Sequence, residues 1–176
     1  VCAQGTRAGK NDTMLIRDVQ TRDIEALRAI MAPVIRETTA SFSDEERSPE
    51  GWRAMIAARA EADRPFVVAE IDGICAGYAT YDQFRAGNSG YRFTMEHSVY
   101  LAPVAQGKGA GRALMHRLEE HARRHDIHSL IAGIDAQNIG SIAFHQALGF
   151  EKSGLVAQSG YKFGRWLDLQ FMQKFL

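Results

Sequence analysis

Val99-Tyr100-Leu101-Ala102-Pro103-Val104-Ala105-Gln106-Gly107-Lys108-Gly109-Ala110-Gly111-Arg112-Ala113-Leu114 reads as an apolar strand, a short turn, a glycine-rich loop and the start of a helix. Such a loop turns free backbone N–H groups toward one point, at the positive end of a helix dipole. The result is an anion site made of main chain. Gly107, Gly109 and Gly111 carry no Cβ and admit a phosphate closely, while Lys108 and Arg112 add charge at the rim. Two better-known loops are excluded by spacing. A nucleotide P-loop places Ser or Thr after its lysine, whereas Lys108 is followed by Gly109. A dinucleotide fingerprint runs G-x-G-x-x-G near the start of a βαβ unit, whereas these glycines alternate and lie deep in the chain.

Working outward, Leu15 to Val19 reads as a first strand, and Thr21 as the cap of a helix with Asp23 and Glu25 in its first turn. Ile24, Leu27, Ile30 and Val34 recur at helical spacing, and Pro33 is expected to kink or split the segment. Ser48-Pro49-Glu50 opens a second helix to about Ala62. Phe66 to Ile71 and Cys75 to Tyr81 form a hairpin around Asp72-Gly73, Phe84 to Gly90 is a loop, and Tyr91 to Leu101 is a long strand. A helix from Gly111 to His125 turns Leu114, Leu118 and Ala122 inward. A strand from Ser129 to Ile134, a helix from Ile139 to Leu148 stopped by Gly149, and strands over 151–158 and 165–175 complete the order. This is an α/β (α+β) pattern: a mixed sheet with helices on both faces.

The 176 residues suit one domain, and 45% hydrophobic with 24% charged residues mark a globular chain. The formal net charge of zero gives no sign of a nucleic-acid partner, and no apolar run approaches a membrane span. Residues 1–13 are polar without a signal-peptide core and read as an extension ahead of a domain at 14–176. Cys2 and Cys75 form no disulfide framework, and no metal-ligand motif is present. These features point to a cytoplasmic protein without a metal.

Gln106-Gly107-Lys108-Gly109-Ala110-Gly111-Arg112 resembles the pyrophosphate loop, Q/R-x-x-G-x-G/A, of the GNAT superfamily of N-acetyltransferases. Asn138-Ile139-Gly140-Ser141-Ile142-Ala143-Phe144-His145-Gln146-Ala147-Leu148-Gly149-Phe150 resembles the superfamily's second landmark, an Asn-led helix ending in a Gly-Phe turn. Thr94-Met95-Glu96-His97-Ser98-Val99-Tyr100 is similar to the T-V-E-x-S-V-Y run of its phosphinothricin and methionine sulfoximine acetyltransferase branch, with Met95 for valine. Tyr161-Lys162-Phe163-Gly164-Arg165-Trp166-Leu167-Asp168 resembles that branch's K-F-G-R-W-x-D signature. The resemblance spans Met14 to Leu176 and implies the GNAT fold, with a central, mostly antiparallel sheet.

It also implies acetyl-CoA as cosubstrate. Val99, Tyr100 and Leu101 would pair with its pantetheine arm, Gln106 to Arg112 would hold its pyrophosphate, and Asn138 would bond the pantetheine besides capping its helix. Transfer to an amine needs that amine neutral, since an amine titrating at about 8–10 is protonated at neutral pH. In the branch the residue at Glu96 is the base. His145 stands where many superfamily members carry a tyrosine that protonates the leaving thiolate; a histidine packing on the cofactor or hydrogen-bonded in place is an equal reading. Tyr100 is a second hydroxyl nearby.

Arg85 resembles the branch's substrate-contacting arginine, and its fork suits an α-carboxylate, with Tyr91, Arg92 and Phe93 lining the same pocket. The branch spaces that arginine one residue closer to its glutamate, and a solvated loop cation is the competing reading. Branch members are homodimers. His116, His121, His125 and His128 read as a solvated helix surface, and Cys75 has no partnering histidine for a covalent route. The acceptor expected is a small amino acid or analogue: methionine sulfoximine, methionine sulfone or phosphinothricin. The alternatives are a non-catalytic acetyl-CoA-binding sensor module, or an acetyltransferase for a polyamine or a protein N-terminus.

Overall fold

In the computed structural model, residues 13–176 are described. The expectation for residues 1–13 therefore lies outside the described residues, apart from Thr13, whose N–H donates to the Asp72 carboxylate at 3.3 Å. Seven strands form one sheet in the order β1-β2-β3-β4-β5-β7-β6. They are β1 (Met14–Asp18), β2 (Phe66–Ile71), β3 (Ile74–Gln83), β4 (Thr94–Leu101), β5 (Ser129–Asp135), β6 (Glu151–Lys162) and β7 (Arg165–Phe175). Neighbours run antiparallel except β4 and β5, which are parallel. Four α-helices accompany the sheet among the described residues: α1 (Ile24–Glu37), α2 (Pro49–Glu61), α3 (Ala110–Arg124) and α4 (Ile139–Ala147).

The alternation of side chains along β2 shows how the layers assemble. Phe66 and Val68 pack with Ile24, Leu27, Ile30 and Trp52 of α1 and α2, whereas Val67, Ala69 and Ile71 pack with Leu114, Met115 and Leu118 of α3. A strand buried on both faces reads as a continuous apolar run for this reason. Apolar residues of α3 and α4, such as Leu114, Leu118, Ala122 and Ile142, share the second of these cores. Helices thus cover both faces.

Three local expectations are corrected. Pro33 does not split α1, which runs unbroken past it. The carbonyl freed by the missing N–H belongs to Ala29, and both residues face solvent, so water can satisfy it while Ile30 and Ile35 stay buried. Thr21 does not cap α1. A short 3-10 turn, Thr21–Asp23, precedes the helix; the N-cap of α1 is Asp23, whose carboxylate closes that turn by accepting from the Gln20 N–H at 2.8 Å and does not bond the first turn of α1. Asp23 is buried and takes both arms of the Arg17 guanidinium, at 2.7 and 2.8 Å, while Arg17 Nε donates to Glu70 at 2.8 Å. Burial pushes the Asp23 carboxyl up, but the Arg17 fork outweighs it and holds the pKa below the ordinary value. The long strand begins at Thr94 instead of Tyr91, because Ser89–Tyr91 forms a 3-10 turn capped by Asn88.

Candidate active site

β4 is held to β3 along its whole length, from Met95 opposite Gln83 to Leu101 opposite Gly77. On its other edge it meets β5 only at Thr94, Met95 and Glu96, opposite Ser129, Leu130 and Ile131. Beyond that point β4 runs on to Leu101 and β5 to Asp135 without pairing, and β5 keeps its antiparallel contact with β7 through Asp135. Two parallel strands that part in mid-sheet leave a wedge whose facing N–H and C=O groups have no strand to pair with. The wedge is a cleft of ≈ 880 Å³, and Glu96 to Leu101 and Ala132 to Asp135 line it.

Glu96 is the last paired residue and sits at the apex, open to the cleft. A Cβ on Gly133 would lie 3.2 Å from Glu96 Oε1, so the bare backbone of β5 there leaves the carboxylate its room. The walls withdraw enough water to raise the Glu96 pKa above the ordinary value.

The glycine loop reaches the mouth of the wedge. Gly107 and Gly109 have φ of +71° and +83°, and left-handed Gly109 is the N-cap of α3, with no side chain capping the helix. The first-turn N–H groups are thus left for an outside acceptor. A Cβ on Gly111 would lie 3.2 Å from the Phe144 ring and 3.4 Å from Leu101, so only glycine lets α3, α4 and β4 meet this closely. Gln106, Gly107 and Gly111 line the cleft. Lys108, Gly109, Ala110 and Arg112 do not contribute to its walls, and Ala110 is fully buried in the core. Asn138 caps α4, its side chain accepting from the Ser141 N–H at 3.0 Å, and it too lines the cleft.

For His145 the geometry matches the second of its two expected readings, a ring hydrogen-bonded in place. It borders the cleft but is only 3% exposed. Its Nδ1 lies 2.8 Å from the Ser141 carbonyl, which can only accept, so Nδ1 carries the proton. Its Nε2 lies 3.0 Å from His97 Nε2. Burial lowers the pKa of both imidazoles, and in His97 the neighbouring His145 adds to the effect. In the neutral pair His97 Nε2–H donates to His145 Nε2, leaving His97 Nδ1 a buried lone pair without a hydrogen-bond partner among the described residues. The one proton of His145 is thus committed to a backbone carbonyl. The geometry describes a ring that locks α4 to β4, not a donor aimed at sulfur.

Arg85, Tyr91 and Phe93 do not line the cleft. Arg85, at φ +52°, turns its guanidinium to Tyr91, 3.4 Å from the hydroxyl, and Arg92 covers the exposed Phe93 ring at 4.5 Å. The loop is nevertheless anchored near the apex: Phe84 stacks edge-on against Phe171, which in turn adjoins Gly133. Cys75 is buried with its thiol pushed up to about 11 by burial, which unsuits it to nucleophilic work. The histidines of α3 are not a solvated surface throughout. His121 and His125, one turn apart, stack at 3.9 Å; His121 bonds the Tyr81 hydroxyl at 2.7 Å, and His125 bridges to Asp63 at 3.0 Å.

One wall of the cleft was not foreseen. Thr38, Ala40, Ser41 and Phe42, from the segment joining α1 to α2, line it together with Leu169. That segment lacks the periodic pattern that marks a helix or strand, and no sequence signal singled it out.

A wedge between parallel strands, mouthed by a main-chain anion loop and floored by a carboxylate, defines a site for transfer from a long phosphorylated donor. The model of the acetyltransferase (GNAT) domain matches residues 16–171, and the chain belongs to this family of acetyltransferases. It is 41% identical to the L-methionine sulfoximine/L-methionine sulfone acetyltransferase of Salmonella typhimurium, over 91% of this chain and 93% of the relative. It is 40% identical to the phosphinothricin N-acetyltransferase of Alcaligenes faecalis, over 90% and 81%. Among solved structures it is similar to yncA, a putative acetyltransferase from Salmonella typhimurium with its cofactor acetyl-CoA, at TM-score 0.88 and 41% identity, covering 93% of this chain and 94% of that one. The ribosomal-protein-alanine N-acetyltransferase from Brucella melitensis superposes at TM-score 0.88 with 44% identity, covering 92% and 99%.

Proposed function

We propose that this enzyme acetylates the α-amino group of a small amino acid or analogue, with methionine sulfoximine, methionine sulfone and phosphinothricin as acceptors. Acetyl-CoA is the donor, and the amine attacks its thioester directly. The observation that carries this reading is the placement of Glu96 at the apex of the wedge, where the unpaired edge of β4 begins.

The unpaired main chain of Val99, Tyr100 and Leu101 holds the pantetheine arm as a third strand would, and Asn138 bonds it from α4. The N–H groups of Gln106 to Arg112 hold the pyrophosphate. Glu96 takes the proton of the incoming ammonium, directly or through a water, and its raised pKa brings its basicity closer to that task. The bond from nitrogen to the acetyl carbon forms, the bond from carbon to sulfur breaks, and the second proton of the nitrogen passes to water or to the departing thiolate. A thiol titrating near about 8.5 leaves competently as the thiolate, so His145 need not supply a proton. Arg85 and Tyr91, which stand outside the cleft walls on the loop anchored by Phe84, would have to swing inward to meet the acceptor's carboxylate.

The enzyme works as a homodimer in the cytoplasm. Leu155, Val156, Tyr161, Phe163 and Trp166 stand exposed on the β6–β7 hairpin, a surface suited to a second copy of the chain. No described helix is long and apolar enough to cross a membrane.

Coenzyme A release, followed with a thiol reagent, tests the reading across free amino acids, methionine sulfoximine, methionine sulfone, phosphinothricin, a polyamine and an alanine-starting peptide. Saturable release with the amino-acid analogues is expected. Release only with the peptide would favour a protein N-terminus, the reading supported by the likeness to the Brucella enzyme. Binding of acetyl-CoA without release on any amine would favour a sensor.

A further inference from the structure

The segment at residues 38–42 has no helix or strand to satisfy its main chain, yet its carbonyls are captured almost one by one. Lys162 Nζ donates to the Thr38 carbonyl at 2.8 Å and to the Ser41 carbonyl at 2.6 Å. Tyr100 Oη donates to the Ala40 carbonyl at 3.3 Å, and Thr39 Oγ1 donates to the Asp135 carboxylate. Lys162 is the unusual member. Lysine is rarely buried, and here the residue is 4% exposed at the end of an otherwise exposed edge strand. An ammonium withdrawn from water needs acceptors, and two main-chain carbonyls replace its hydration.

A second contact lies two residues earlier. A Cβ on Gly160 would come 2.4 Å from the Phe42 ring, so this ring rests on bare backbone. The end of β6 therefore fixes both the main chain of the segment and its one aromatic side chain. The glycine loop opens on the face covered by α3 and α4, where Gly111 meets Phe144. The segment follows α1 and closes the cleft on the opposite face, against Tyr100, which packs in the α1/α2 core. Whatever enters opposite the acetyl donor meets this wall.

We propose that Lys162 is a positioning residue that straps residues 38–42 across the acceptor side of the cleft, with Phe42 seated on Gly160 as the surface that selects the acceptor side chain. This rests on the N-acetyltransferase reading above. Phe42, Val34 and Leu169 give that wall an apolar character, which fits an acceptor whose side chain begins with methylenes and disfavours one charged close to its α-carbon.

The test is Lys162→Met in steady-state kinetics with methionine sulfoximine, beside hydrogen exchange of the uncomplexed protein. Acceptor KM is expected to rise about tenfold, the scale of one lost charge-assisted hydrogen bond, with kcat and acetyl-CoA affinity nearly unchanged. Lys162→Arg, which keeps donors for the carbonyls, is expected to restore most of the loss. Amides 39–43 should exchange faster in Lys162→Met without any substrate present. That readout separates this proposal from the acceptor assignment: wild-type silence toward every amine would defeat the assignment, and unchanged exchange would defeat the strap. If Lys162→Met does not fold, Gly160→Ala carries the test, because it displaces Phe42 with Lys162 in place. An unchanged acceptor KM in Gly160→Ala, or equal changes in acceptor and acetyl-CoA affinity in either variant, would overturn the proposal.

Discussion

The two halves of β4 have the same neighbour on one side and opposite fates on the other. Met95 and Glu96 are paired to both β3 and β5, Thr94 to β5 alone, and their main chain is spent on the sheet. His97 to Leu101 are paired to β3 alone, and their other edge faces the cleft. No residue type marks the point where the halves divide, yet every residue from His97 to Leu101 lines the cleft and neither Thr94 nor Met95 does. What differs is the direction taken by β5, which follows β7 away from β4 after Ile131. A sheet gains stability where it pairs and gains a binding edge where it stops pairing. Glu96, the proposed base, stands at the boundary between the two.

The largest effect comes from breaking that boundary. Glu96→Gln is expected to lower kcat by about 10²- to 10⁴-fold while acetyl-CoA binding, measured by calorimetry, stays within about twofold. Equal losses in both would make Glu96 a binding residue. Next, Gly111→Val should close the mouth of the wedge, since a Cβ there already meets Phe144 at 3.2 Å. Overpacking there should cost about 1–3 kcal/mol of folding stability, and acetyl-CoA binding is expected to weaken with kcat at saturation little changed.

A third, smaller effect sharpens the comparison on the buried side of β4, where His97 meets His145. His145→Gln should cost about 1–3 kcal/mol in denaturant unfolding and less than about tenfold in kcat. A loss of kcat beyond about 100-fold with stability intact would return the proton donor's role to His145.

The smallest effect is on stability at the apex itself. Burial raises the Glu96 pKa in the folded state, so the native protein holds that proton more readily than the unfolded chain. Stability from this source is present at acid pH and is lost as pH rises through the native pKa. Glu96→Gln should therefore raise Tm slightly at pH 7 and leave it unchanged near pH 4, in thermal scans at both values.

Much of the fold was legible because its signals are local. Asp72-Gly73 joined two strands, Ser48 capped α2 ahead of Pro49, and Gly149, at φ +88°, ended α4. The glycine loop was legible for the same reason: positive φ and close approach can be read from glycine itself. Pro33 misled because helix propensity is a weak prior beside the burial of Ile30 and Ile35. The wedge left no mark, since the residues that lose β5 still pair with β3 and read as one strand with the rest. His97 was passed over because its partner lies 48 residues away on another element. Lys162 stands in the branch signature without a role, because a lysine ordinarily implies solvent, and Phe42 was passed over because its segment has no period to read.

Amide hydrogen exchange along β4 and β5, with and without acetyl-CoA, tests the central comparison most directly. Protection is expected to rise at 97–101 and at the first turn of α3, while 94–96 stay as protected as before. Protection rising equally along all of β4, or only outside the cleft, would contradict the assignment of the unpaired edge as the donor's binding surface.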